Sequence, residues 1–230
     1  MSAETNNHIL DLQMGKDKLR KFAEIGTFPN VYQLEAGAVN KGQWAEKHFK
    51  NNNPIVLELA CGKGEYSVNM AEAFPDRNFI GIDYKGNRIW RGAKTAIEEG
   101  IHNVAFLRIQ IEDILTYFSE GEVSEIWITF PDPQPQLGRE KKRLTSDRFL
   151  DKYQKILTSN GFIHLKTDND GLYQYTVDKL HERNEIVLEA TDDLYHDAIL
   201  DDILSIKTYY EKKYLMINKN INYLKWSFRI

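Results

Sequence analysis

Residues Ile55–Tyr66 read IVLELACGKGEY: a short apolar run with one acid inside it, then a turn built on Gly62 and Gly64. Such a run, bounded by a glycine turn, fits a strand buried on both faces. The glycines admit positive φ and let the backbone come close to a ligand. EYSVNMAEAF follows with helical spacing and stops before Pro75; NFIGID (Asn78 to Asp83) is a second strand. The alternation continues with a helix over Lys85–Glu99 closed by Gly100, and strands VAFLRIQ (Val104 to Gln110) and EIWITF (Glu125 to Phe130). A helix SDRFLDKYQKIL with Ser146 as N-cap, the strand FIHLKT (Phe162 to Thr167) and a helix over Leu172–Arg183 come next. EIVLEAT and INYLKWSFRI have strand character. Strands alternating with helices at this spacing predict an α/β fold, a mainly parallel sheet covered on both faces.

The bulk numbers agree. At 230 residues with 42% hydrophobic content, the chain supports one sizeable core. Residues 51–230 carry the regular pattern, and residues 1–50 read as an extension of the same domain with one or two helices and room for flexibility. No apolar run suffices to cross a bilayer, MSAETNNHIL lacks the features of a secretory signal, and the single Cys61 fits a reducing compartment. A cytoplasmic location is expected. No His/Cys cluster has metal-ligand spacing. Cys61 and His164 read as core residues rather than catalytic ones. The net charge is −4, yet cations cluster at Lys16, Lys18, Arg20 and Lys21, at Lys85–Lys94, and at Arg139, Lys141, Lys142 and Arg143. A basic face on an acidic protein is therefore available to a polyanion.

In sheets of this kind ligands bind at the carboxyl ends of the strands. Those ends carry ELACGKG, IDYKGNR, IQIED, FPDPQPQ and KTDND, each with a carboxylate. Asp83 stands where an acid accepts the hydroxyls of a ribose. The turn lacks both the three-glycine dinucleotide fingerprint and the GKS or GKT of a P-loop. Glu58 would repel a pyrophosphate and welcome a cation, which favours S-adenosylmethionine over NAD.

ELACGKGEY, FIGID, FPDPQP…KKRLT, HLKTDN and IKTYYEKKY, in that order, resemble the bacterial tRNA (guanine-N7-)-methyltransferases. The resemblance implies a Rossmann-like class I methyltransferase, a mainly parallel seven-stranded sheet with an antiparallel seventh strand. It implies methyl transfer from S-adenosylmethionine to N7 of a guanine in the tRNA variable loop. Carried over by motif, Glu58, Gly62, Asp83, Gln110 and Asp132 bind cofactor. Asp132 and Asp168 are the catalytic candidates, and Gln136, Asp168, Thr208, Tyr209, Tyr210 and Glu211 contact substrate. Arg139, Lys141, Lys142 and Arg143 are expected on the tRNA backbone. Three positions depart from the family pattern: Gln110 for an aspartate, Gln134 for a tryptophan and Gln136 for a lysine. The expected partner is tRNA, with no membrane and no metal, and the protein a monomer or homodimer. The alternatives are a methyltransferase acting on another RNA or a small molecule, and a catalytically impaired RNA-binding relative.

Overall fold

The computed structural model describes residues 17–34 and 38–229; Lys16 and the MSAETNNHIL segment lie outside them. The strands are β1 (Val31–Gln33), β2 (Ile55–Leu59), β3 (Asn78–Ile82), β4 (Val104–Arg108), β5 (Val123–Thr129), β6 (Leu157–Thr167), β7 (Ile186–Thr191) and β8 (Asn222–Ser227). The helices are α1 (residues 17–25), α2 (Glu65–Ala73), α3 (Gly86–Glu98), α4 (Asp147–Ile156), α5 (Asp170–Glu182) and α6 (Tyr209–Met216). One eight-stranded sheet runs β1-β4-β3-β2-β5-β6-β8-β7, and only β8 is antiparallel to its neighbours. The seven expected strands are all present. The expected count is short by one, because β1 adds an edge strand from the N-terminal extension, pairing Val31 with Phe106.

The apolar runs become strands because both sheet faces are covered. On one face Leu57, Ile80, Ile126 and Leu165 pack with Phe149, Leu172 and Trp44. On the other, Val56, Phe79, Phe106 and Trp127 pack with Tyr66, Met70, Ile89 and Leu204. Trp44 anchors the extension: it is fully buried, and its indole donates to Tyr117 O at 2.9 Å. Helix α1 docks through Glu24, which accepts from the Trp90 indole at 2.6 Å, while Arg20 and Lys21 lie over the Trp90 ring. Both cations also pair with Asp17 at 2.7 Å, so this cluster holds the extension to α3.

Helix starts follow local chemistry. Asn169 caps α5 by accepting from Leu172 N at 2.8 Å. Ser146 occupies the N-cap position of α4, but its hydroxyl donates to Lys141 O at 3.2 Å and ties the helix to the preceding basic turn. Gly64 begins α2 at φ +71°, and a Cβ there would lie 2.4 Å from the Phe106 ring. No other residue fits without moving the strand beneath. Ala60 adopts φ +57° without being glycine. The left-handed conformation is costly for any residue with a Cβ. Ala60→Gly is therefore expected to stabilise the protein by about 1 kcal/mol, read from the denaturation midpoint. A lower midpoint would mean that alanine packing outweighs the backbone strain.

The chain order reverses at β2, which lies between β3 and β5. This is the switch point where open α/β sheets leave a crevice.

Candidate active site

The crevice has two halves that share Ala60. One is lined by Glu58, Gly62, Lys63, Arg88, Thr129, Phe130 and Thr208–Tyr210. The other is lined by Asp83, Tyr84, Gln110, Ile111, Lys142 and Phe149.

Glu58, the penultimate residue of β2, is 3% exposed. Its Oε1 accepts from Thr129 Oγ1 at 2.6 Å, and its Oε2 accepts from Ser67 N at 2.9 Å and from the Ser67 hydroxyl. Burial pushes the carboxyl up to about 7, against those three hydrogen bonds. A buried carboxylate this reluctant to ionise is ready for a cation. Asp83 is also buried; Oδ2 accepts from Gly62 N at 3.0 Å and Oδ1 from Lys85 N at 2.7 Å. The glycine turn and the second acid are thereby locked together, and each oxygen keeps a lone pair for a ligand.

Phe130, at the end of β5, takes φ +47°, which is unusual for a bulky residue. Its amide donates to Lys166 O at 2.8 Å, and its ring stacks on Tyr214 at 5.9 Å. Tyr214 lies near the Asp168 carboxylate, which follows β6. Burial raises the Asp168 pKa above the usual aspartate value, with Lys219 opposing. Backbone strain of this kind gathers at ligand sites.

The structure therefore brings Glu58, Gly62, Thr208, Tyr209 and Tyr210 into one half of the crevice, and Asp83 and Gln110 into the other. Asp132 is exposed one residue past Pro131, with Oδ1 accepting from Gln134 N at 3.0 Å. Gln136, Arg139 and Lys141 are exposed on the turn that follows, and Lys142 reaches the Asp83 side.

Two residues differ from expectation. Arg143 was expected on phosphate, but it is buried: it donates to Pro133 O at 3.2 Å and Gln134 O at 3.3 Å and stacks over Tyr175. It clamps the proline loop from within. Glu211 was expected to touch substrate, but it is fully buried beneath the crevice. It closes a capping box with Thr208 and pairs with Lys166 Nζ at 2.7 Å.

Lys166 itself was missed. It is fully buried and also donates to Leu204 O at 2.9 Å and Ile206 O at 3.3 Å. Its signal was present in β6, where Phe162, His164 and Lys166 alternate and a lysine falls on a core-facing position. Thr129 and Ser67 were missed as well, since lone hydroxyl residues carry no pattern. Cys61 and His164 are core residues: burial pushes the Cys61 thiol well up, and His164 stacks on Trp127 at 3.7 Å with Nδ1 2.8 Å from the Tyr223 hydroxyl. Among the described residues no cluster of His, Cys, Asp or Glu is arranged to hold a metal, and no helix is long and apolar enough to cross a membrane.

A switch-point crevice with acids at the ends of β2 and β3 and an antiparallel β8 is the architecture of class I methyltransferases. The fold is similar to that of the 16S rRNA methyltransferase KamB (TM-score 0.60, 13% identity, 80% of this chain and 92% of that one). A family of putative methyltransferases matches residues 52–224. A tRNA (guanine-N(7)-)-methyltransferase of Bacteroides fragilis is 50% identical over 219 residues, 93% of this chain and 86% of that protein. One of Christiangramia forsetii is 48% identical over 221 residues, 93% and 99%. The chain belongs to the tRNA (guanine-N(7)-)-methyltransferase family.

Proposed function

We propose that this protein transfers a methyl group from S-adenosylmethionine to N7 of a guanine in the variable loop of tRNA. The observation that carries the reading is the convergence of Glu58, Asp83 and the Thr208–Tyr210 segment on one crevice. The residues present fit the cofactor: Glu58 is a buried carboxylate awaiting a cation, and Asp83 offers free lone pairs beside a glycine turn. When bound, S-adenosylmethionine supplies a sulfonium-activated methyl group suited to guanine N7, an acceptor with no proton to remove. Glu58 would hold the amino group, Asp83 the ribose hydroxyls and Gln110 the adenine. Asp168 would hold the guanine by its N1–H and N2–H donors, raising electron density at N7. Asp132 would steady the loop between the two ligands. Catalysis then rests on positioning and electrostatics, with no general base.

Glu58 also sets a pH dependence. Its folded pKa, about 7, lies above the ordinary 4.5. Its contribution to stability is complete below the unfolded value and is lost as pH rises through the folded one. In the free protein that loss falls between about pH 4.5 and 7. An ammonium group bound at Glu58 favours ionisation, so binding near pH 6 should release up to about one proton. Calorimetry in two buffers of different ionisation enthalpy measures this, and an unchanged heat would contradict the assignment.

The acceptor atom is tested with tRNA carrying 7-deazaguanosine at the acceptor position. Binding should persist while methyl transfer disappears; methylation of that substrate would refute N7 as the nucleophile.

A further inference from the structure

The three cation clusters of the sequence fare differently in the fold. Arg20 and Lys21 pair with Asp17 and cover Trp90, and Arg143 is buried under its own loop. Another set, which draws Arg91 from the Lys85–Lys94 cluster, gathers at one place. Lys63, Arg91, Lys207 and Lys212 line one open groove between α2, α3 and the start of α6. Among the described residues no carboxylate lies within ion-pair distance of any of the four, a property they share with Arg139, Lys141 and Lys142 of the basic turn. The acid nearest at hand, Glu65, is engaged by Tyr209 N at 2.8 Å. In a chain of net charge −4, four unpaired cations facing one groove create a local field that attracts a polyanion.

The groove continues from the crevice. Lys63, Glu65 and Tyr209 line both. Tyr209 is 48% exposed, with Lys63 5.4 Å and Lys213 4.7 Å from its ring centre. An exposed aromatic ring flanked by ammonium groups suits a nucleic acid strand, the ring stacking a base and the cations meeting phosphates. The groove also lies on the sheet face of Tyr66 and Ile89, whereas the turn carrying Arg139 and Lys141 precedes α4, which packs on the other face.

We infer that the α2/α3 groove, through Lys63, Arg91, Lys207 and Lys212, is a track for the tRNA phosphate backbone on the flank of the crevice opposite the Arg139–Lys142 turn. The inference rests on the proposed tRNA substrate. It deepens that reading by requiring the RNA to straddle the crevice, held on both sides. Such contacts position the strand and carry no sequence information.

The test is the Arg91→Gln/Lys212→Gln double variant, both positions being exposed, against a Lys50→Gln/Lys155→Gln control of equal charge change outside the crevice and groove. The groove variant should raise KM for tRNA roughly tenfold and flatten the slope of log affinity against log salt by about 1.5, as expected for two lost phosphate contacts. Cofactor affinity by calorimetry should stay unchanged, and the control should match wild type. Equal tRNA affinity and salt slope for the groove variant and wild type would overturn the groove. A wild-type protein that binds tRNA in this salt-dependent, groove-dependent manner yet forms no 7-methylguanosine would uphold the groove and overturn the proposed reaction.

Discussion

Lys166→Met is expected to lower the melting temperature by roughly 6–20 °C, the equivalent of about 3–5 kcal/mol in a domain of this size. Lys166 and Glu211 are both fully buried, 2.7 Å apart. Removing the ammonium leaves Glu211 with the Tyr195 hydroxyl at 2.6 Å and the Thr208 amide of the capping box at 3.2 Å, too little to offset a buried negative charge. Burial pulls the Lys166 pKa down, and the Glu211 carboxylate beside it opposes that shift. Adding Glu211→Leu should recover much of the lost stability, because two apolar residues replace a pair that is costly to desolvate. That double variant should still bind tRNA poorly, since the pair fixes Thr208–Tyr210 against the crevice. A single variant melting within about 2 °C of wild type would show that the pair does not anchor this segment.

Asp168→Ala is expected to reduce kcat/KM for tRNA by about 100–10,000-fold, while cofactor affinity and melting temperature stay close to wild type. Charge-assisted hydrogen bonds to buried groups are worth about 1.5–3 kcal/mol each, and Asp168 is assigned two of them on the guanine. The carboxylate is partly exposed, so the fold should tolerate its loss. Steady-state kinetics with tRNA, set beside calorimetry with the cofactor, separates the two effects. A loss of cofactor binding with tRNA handling intact would reassign Asp168 to the other ligand.

Most of the fold was legible in the sequence because its signals are local. The run from Ile55, the GKG turn and Asp83 fix β2, α2 and β3, and β5, β6 and β7 each end near a proline or an acid. β1 was not legible: three residues of intermediate burial make no periodic pattern, and only its pairing with β4 makes it a strand. β6 starts at Leu157, earlier than its apolar run, because pairing of Leu157 with Val123 extends it across an irregular register. The site was legible where a side chain faces the crevice from a strand end, as Glu58 and Asp83 do. It was not legible where roles depend on distant partners. The sequence cannot say that Arg143 turns back onto Pro133, or that Glu211 meets Lys166 rather than substrate. The Gln134 position, read as a departure from the family pattern, proves to be a left-handed residue at φ +43° whose carbonyl Arg143 holds.

The central claim is most directly tested by incubating the protein with unmodified tRNA and methyl-labelled S-adenosylmethionine, then digesting the RNA to nucleosides. The account predicts that the label appears as 7-methylguanosine and maps to the variable loop. Label on any other nucleoside, or none, would contradict it.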